Sequence, residues 1–172
     1  MRFLLGFIFG LVVVAGGLFA YFAMGYAPVA TASAPMLFES RLAHMALNAR
    51  IQKDATLQPT LQPNEENLLA GAHVYRQQCA VCHGLPNQPE TLIAKGMFPK
   101  VPQLFKHGVT DDPPAETYWK VANGIRLTGM PGYKGSLSDQ EMWQVTLMLA
   151  NAEKLPPAAL SVLQQPWSQQ NW

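Results

Sequence analysis

Cys79-Ala80-Val81-Cys82-His83 has the residue types and the spacing needed to attach a haem covalently. Two thiols add across the two vinyl groups of a porphyrin, and two intervening residues let both sulfurs reach one edge of the macrocycle. The next residue, His83, then falls where its imidazole can bind the iron axially. A Cys-x-x-Cys redox pair of the thioredoxin kind is the rival reading, but it wants a βαβ pattern that the flanking sequence lacks. A zinc site is weaker still. These are the only two cysteines, and no second Cys/His pair stands at zinc-ligand spacing.

The remainder of the chain fits one haem domain with additions. At 172 residues it is long enough for one sizeable core, and its formal charge of +1 gives no electrostatic case for nucleic acid. Both cysteines are taken by the motif, so no disulfide framework is expected. Fourteen prolines and thirteen glycines imply much irregular chain, as suits a domain whose core is partly porphyrin.

Phe3 to Ala23 carries no charge, polar amide or proline, and Arg2 precedes it. At about 1.5 Å per residue it makes a helix roughly 30 Å long, enough to cross the hydrocarbon core of a bilayer. Ala30-Thr31-Ala32 offers a small-residue cleavage pattern, but signal peptides usually have shorter apolar cores, so the length favours an uncleaved anchor. Positive charge stays on the cytoplasmic side, which puts Arg2 inside and everything after Tyr26 outside. The expected location is therefore a bacterial inner membrane, crossed once, with the haem domain in the periplasm. Gly6 and Gly10 stand at a helix-pairing spacing that is also commonplace in membrane helices.

Beyond residues 1–26, the anchor, residues 27–63 read as a membrane-proximal segment and linker. Glu39 to Ile51 has Leu42, Met45, Ala46 and Ala49 at helical spacing, a stripe with three possible covers: the haem domain, the membrane interface or a partner. Gln52 to Pro63 lacks periodicity and contains Pro59 and Pro63. The haem domain, residues 64–155, should hold three main helices. The first is capped by Asn64, followed by Glu65 and Glu66, with Leu68, Ala72, Tyr75 and Cys79 on one face. The second starts near Asp112 with Pro113 in its first turn and ends at Asn123, closed by Gly124. The third starts at Ser138, where Ser138-x-x-Glu141 is a capping box, and its apolar positions Met142, Trp143, Val145, Leu147 and Leu149 predict burial on more than one side. No segment alternates as a strand. In residues 156–172, the tail, Ala158 to Gln165 predicts one or two helical turns, and Trp167 and Trp172 are large apolar groups in a polar context.

Between the second and third helices lies Thr128-Gly129-Met130-Pro131-Gly132-Tyr133. Together with Cys-x-x-Cys-His at the end of a first helix, this loop resembles the class I c-type cytochromes over residues 64 to 155. The run from Tyr118 to Pro131 is similar to the membrane-anchored monohaem cytochromes of proteobacteria. The resemblance implies an all-α class I cytochrome c fold, one covalent haem c, and Met130 as sixth iron ligand opposite His83. Met130 follows His83 by 47 residues, a separation that compact bacterial members share. The rival ligands are Met97, in Gly96-Met97-Phe98-Pro99, and His107. Met97 precedes the second helix, the wrong place for the family, and reads as an apolar residue on the haem face. His107 reads as an exposed loop histidine, His73 sits at a polar position of the first helix, and His44 lies outside the domain.

A His/Met pair leaves no place for a substrate on the iron, so the expected function is a one-electron carrier rather than an enzyme. It would act alone or as the cytochrome subunit of a respiratory or dehydrogenase complex, with redox proteins as partners and no small-molecule substrate. A haem sensor or small peroxidase is the alternative, and it requires a labile sixth ligand. No nucleophile–base pair or phosphate loop stands elsewhere. Arg126 and Trp119 are candidates to pair with haem propionates, the alternatives being a solvated arginine and a core aromatic. A backbone carbonyl between Pro99 and Pro102 is expected to hold His83 in one tautomer. Between residues 95 and 134, Lys95, Lys100, Lys106, Lys120, Arg126 and Lys134 outnumber Asp111, Asp112 and Glu116, an excess of +3 that suits an acidic partner.

Overall fold

The structure, a computed structural model, describes residues 2–107 and 112–166, with His107 described for its backbone alone. Trp167 and Trp172 lie outside the described residues. Among the described residues there are helices and no strands. The chain divides into two compact units, Met1–Ala43 and His44–Trp172.

In the first unit, α1 (Arg2–Ala23) has no buried residue and is long and apolar enough to cross a membrane. A signal sequence would have the same character. Its end carries an aromatic cluster: the Tyr21 ring meets Phe22 edge-on and stacks on Tyr26 at 6.3 Å, the arrangement found where helices leave a bilayer. Helix α2 (Glu39–Asp54) starts in this unit and ends in the next. Leu47 is half-buried and Ile51 is buried, whereas the stripe singled out from the sequence, Leu42, Met45, Ala46 and Ala49, is exposed. The helix has two opposed apolar faces, and the shorter one is covered.

The second unit is built on α3 (Glu65–Val74), α7 (Pro114–Asn123) and α8 (Asp139–Ala150). Asn64 caps α3 as expected, its side chain accepting from the Asn67 N–H at 2.9 Å. Helix α7 starts one residue later than the sequence suggested, with Pro113 as its extended cap and Pro114 in the first turn, where a missing N–H costs nothing. Gly124 closes it at φ +65. The Ser138 capping box is formed in full, and every residue from Met142 to Leu149 is buried. An α8 buried all round is the central element of the core. It crosses α3 at Gly71, where an added Cβ would stand 2.2 Å from the Gln144 carbonyl oxygen, so only glycine permits this approach. Tyr118 of α7 stacks on Trp143 of α8 at 4.2 Å and hydrogen-bonds Asp139, tying α7 to the start of α8.

The connecting pieces are short: α4 (Ala80–His83), α5 (Leu92–Lys95), α6 (Leu104–His107) and a 3₁₀ turn at Ala152–Lys154. Helix α9 (Pro157–Gln164) confirms the helical turns expected of the tail, and Ala159, Val162 and Leu163 join the core. Arg76 anchors its end, donating to the carbonyls of Val162, Gln165 and Pro166 at 2.8–3.1 Å.

Candidate haem-attachment site

The segment that delivers the motif is not uniform. After Val74 the chain makes a π-helical turn, Tyr75–Cys79, before α4 resumes at Ala80. This wider turn shifts the phase of everything beyond it. Leu68, Ala72 and Tyr75 are buried on the core face, Cys79 is partly buried against the same core, and Cys82 is also a partly buried free thiol. Burial, with Cys82 beside it, pushes the Cys79 thiol up to about 12, and burial also raises Cys82. Both sulfurs are thus neutral thiols in a largely apolar setting.

The C-terminal end of α4 would leave carbonyls without partners. Side chains from three elements supply them. Thr91 donates to Val81 C=O at 2.6 Å, Gln103 to Cys82 C=O at 3.0 Å, and Tyr75 to Gly84 C=O at 2.7 Å. Gly84 takes φ +77, a conformation that strains any other residue, and it lies against the Gln103 side chain. His83 is held from outside: its Nδ1 lies 3.0 Å from the Pro102 carbonyl. A carbonyl can only accept, so Nδ1 carries the proton and the Nε2 lone pair is free. Burial lowers the His83 pKa, with the Pro102 bond opposing, so the ring is neutral and ready to ligate. The carbonyl expected between Pro99 and Pro102 is that of Pro102.

Met130 stands in a loop closed at its neck by backbone contact. A Cβ on Gly124 would meet Gly132 N at 2.5 Å, and one on Gly132 would meet Asn123 C at 2.7 Å. Inside the loop Ile125 N–H donates to Met130 C=O at 3.2 Å, and Met130 N–H donates to Thr128 Oγ1 at 3.1 Å. Leu127 takes the left-handed region at φ +61 and is 92% exposed, a strained position for a bulky residue. Below the methionine, Tyr133 N–H donates to Val121 C=O, and its hydroxyl donates to Gln78 C=O at 2.9 Å. That bond joins the methionine loop to the attachment segment. The Tyr133 phenol is pushed up to about 12, first by burial and then by the charge that Cys79 and Cys82 would carry if ionised, which places it beside both thiols.

The other candidates fall as follows. Met97 lies against this loop: a Cβ on Gly129 would stand 1.9 Å from the Met97 methyl carbon. Arg126 is exposed. Trp119 is half-buried and lines a cleft of about 200 Å³ with Asp54, Ala55, Leu57, Ala115, Tyr118, Ala122, Asn123 and Lys134. Lys120 is paired with Asp112 at 2.8 Å, which removes one base and one acid and leaves the excess of +3 unchanged. His73 is exposed, and the His107 side chain lies outside the described residues. Sequence reasoning missed Tyr75, Gln103 and Thr91 as supports of α4, and it missed Tyr133. An aromatic three residues after the loop methionine was the available signal for the last.

The donor set fits a haem c. It offers two neutral thiols three residues apart, an imidazole with Nε2 free and Nδ1 tied, and thioethers in a braced loop. Residues 66–147 match the family described as cytochrome c oxidase, cbb3-type, subunit III. Among curated proteins none matches. Among solved structures, a chain of the Kuenenia stuttgartiensis reducing HAO-like protein complex is 30% identical, with a TM-score of 0.47. The match covers 56% of this chain and 47% of that one, so the chain spans about half the length of that protein. Motif, helical fold and family match agree: the chain carries a class I c-type cytochrome domain, which implies covalently bound haem c.

Proposed function

We propose that this chain is a membrane-anchored monohaem cytochrome, a one-electron carrier with His83 and Met130 as iron ligands and no enzymatic activity of its own. Cys79 and Cys82 hold the haem, which supplies an Fe(III)/Fe(II) couple when bound. The protein's own part is to orient and exclude. Pro102 fixes the His83 tautomer and, by accepting the hydrogen bond from Nδ1–H, strengthens Nε2 as a ligand. The bonds from Thr91, Gln103 and Tyr75 hold α4 rigid, so ligand and thiols keep their relative positions through a change of oxidation state. The loop closed at Gly124 and Gly132 displays one thioether, and a thioether favours the reduced iron.

The observation that carries the reading is the His83–Pro102 bond, since it fixes the tautomer that leaves Nε2 free for a metal, directly after the two cysteines. The apolar run of α1 supports an anchor with Arg2 inside and the domain in the periplasm of a bacterial inner membrane. The family's description as an oxidase subunit supports a role within a larger membrane complex as well as a free carrier's role.

The test is spectroscopic. Met130→Ala should retain covalent haem, lose the sulfur-to-iron charge-transfer band of the oxidised form, bind carbon monoxide and lower the reduction potential. Met97 is the second assignment, favoured by its contact with Gly129. Loss of the band in Met97→Ala, with the band intact in Met130→Ala, transfers the ligand role to Met97. Rapid carbon monoxide binding by the unaltered protein would point instead to a sensor or peroxidase.

A further inference from the structure

Gly129, the residue before Met130, has lost its side-chain space to a residue 32 positions earlier. A Cβ built on it would stand 1.9 Å from the Met97 methyl carbon and 3.6 Å from the Met97 sulfur. Among the described residues, leaving out its chain neighbours, only Met97 comes within 4 Å of that point. Gly129 does not take the left-handed region, in contrast to Gly84 and Gly124. Its backbone would therefore accept alanine, and what opposes a side chain there is the end of Met97. The peptide units on either side of Gly129 are fixed from within the loop. Thr128 N–H and Oγ1 both donate to Ile125 C=O, at 3.2 and 2.7 Å, and Thr128 Oγ1 accepts from Met130 N–H at 3.1 Å.

Met97 is in turn held from the haem-attachment side. The Thr91 hydroxyl donates to Val81 C=O in α4 at 2.6 Å, and its oxygen accepts from Ala94 N–H at 3.1 Å, capping α5. Ala94 is buried, which docks α5. Met97 N–H donates to Ala94 C=O at 3.3 Å, so the methionine leaves the end of α5 from a fixed place. A continuous line of contact thus runs from Val81 through Thr91, Ala94 and Met97 to Gly129. It is a second tie between the attachment segment and the methionine loop, independent of the Tyr133 hydroxyl on Gln78 C=O. An unbranched thioether suits the position, because it fills an irregular gap against backbone where a branched side chain would not.

We infer that Met97 is a positioning residue for the Met130 thioether, acting by packing against Gly129, and the inference rests on the reading of Met130 as sixth ligand. The test follows the sulfur-to-iron band of the oxidised, haem-loaded full chain through an alkaline titration. Met97→Ala should keep covalent haem and show the band at neutral pH. Its midpoint for loss of the band should fall by about one pH unit, a tenfold easier displacement of the thioether. Met97→Leu has nearly the same volume and no sulfur, so it should restore the midpoint, which a ligand role could not allow. Gly129→Ala should lower the midpoint as well, because its methyl group pushes the end of Met97 aside. In the double variant Met97→Ala/Gly129→Ala that methyl group enters the vacated space, so the midpoint should be no lower than in Met97→Ala alone. An unchanged midpoint in Met97→Ala overturns the inference, and so does additive lowering in the double variant. Met130→Ala separates the two readings. If it lacks the band while Met97→Ala titrates like the unaltered protein, the positioning role alone falls. If it keeps the band while Met97→Leu abolishes it, Met97 is the ligand, and both readings fall.

Discussion

Pro102 gives His83 a partner from 19 residues away: a carbonyl positioned to accept a hydrogen bond from Nδ1–H. The need for such a group was legible, since an axial imidazole requires a fixed tautomer, and so was the stretch of chain that would supply it. The residue was not, because its carbonyl is aimed by the path of the loop between α5 and α6. Tyr133 presents the same contrast. Its ring position after Met130 is a pattern in the sequence, but the acceptor of its hydroxyl, Gln78 C=O, is 55 residues away and depends on how α7 and the attachment segment meet. Removing that hydroxyl tests its role. Tyr133→Phe keeps the ring and should cost about 0.5–1.5 kcal/mol in denaturant unfolding, the range for one hydrogen bond. Haem attachment should be unaffected. The sulfur-to-iron band should disappear at a lower pH in an alkaline titration, because a loop freed from Gln78 is displaced more easily by a competing ligand. An unchanged titration would mean that the backbone contacts at Gly124 and Gly132 hold the methionine unaided.

The starts and ends of α3, α7 and α8 follow from local chemistry, and that is why Asn64, Gly124 and the Ser138–Glu141 box could be read without a structure. Features that arise from contact between elements could not. The π turn at Tyr75–Cys79 has no compositional signature; it appears where a buried tyrosine bonds to Gly84 C=O and α3 must still place two thiols at the surface. Gly71 looks like a weakness inside a helix until the Gln144 carbonyl is seen pressed against it. In α2 the longer apolar stripe was the stronger sequence signal, yet the shorter one is covered. Helical periodicity reports that a face is apolar and not what it will meet. The capping box carries a pH dependence of definite sign. The Ser138 hydroxyl and N–H both donate to the Glu141 carboxylate, at 2.6 and 2.8 Å, and lower its pKa below 4.5. The unfolded chain then binds more protons in the window between the folded value and 4.5. The stabilisation is complete above pH 4.5 and fades as pH falls through the folded value. Glu141→Gln keeps an acceptor but cannot titrate. Urea midpoints of the two proteins should therefore differ most above pH 4.5 and converge in acid; parallel curves would show that the charge on Glu141 contributes nothing.

At the scale of the whole molecule, the proposed function gives the haem domain and the apolar helix two tasks that are separable in principle. The domain sets the chemistry, through His83, Pro102 and the methionine loop, and none of these groups lies in α1. As an anchor, the helix would set where the chemistry takes place. A soluble carrier meets membrane-bound donors and acceptors by search in three dimensions, whereas an anchored one is confined to a layer near them, which raises its effective concentration without adding a contact. Its basic groups Lys95, Lys100, Lys106, Arg126 and Lys134 would add electrostatic guidance toward acidic partners, Lys120 being engaged by Asp112. Replacing residues 1–26 with a cleavable secretion signal should consequently leave the spectrum and the reduction potential of the haem-loaded domain unchanged. Oxidation by isolated native membranes should slow at equal, low protein concentration, recover as the concentration of the released domain is raised, and weaken with added salt in both forms. A shift in potential on release would show that the anchor segment takes part in the haem environment. Equal rates at every concentration would show that α1 is removed in the mature protein, so that both preparations are the same freely diffusing carrier.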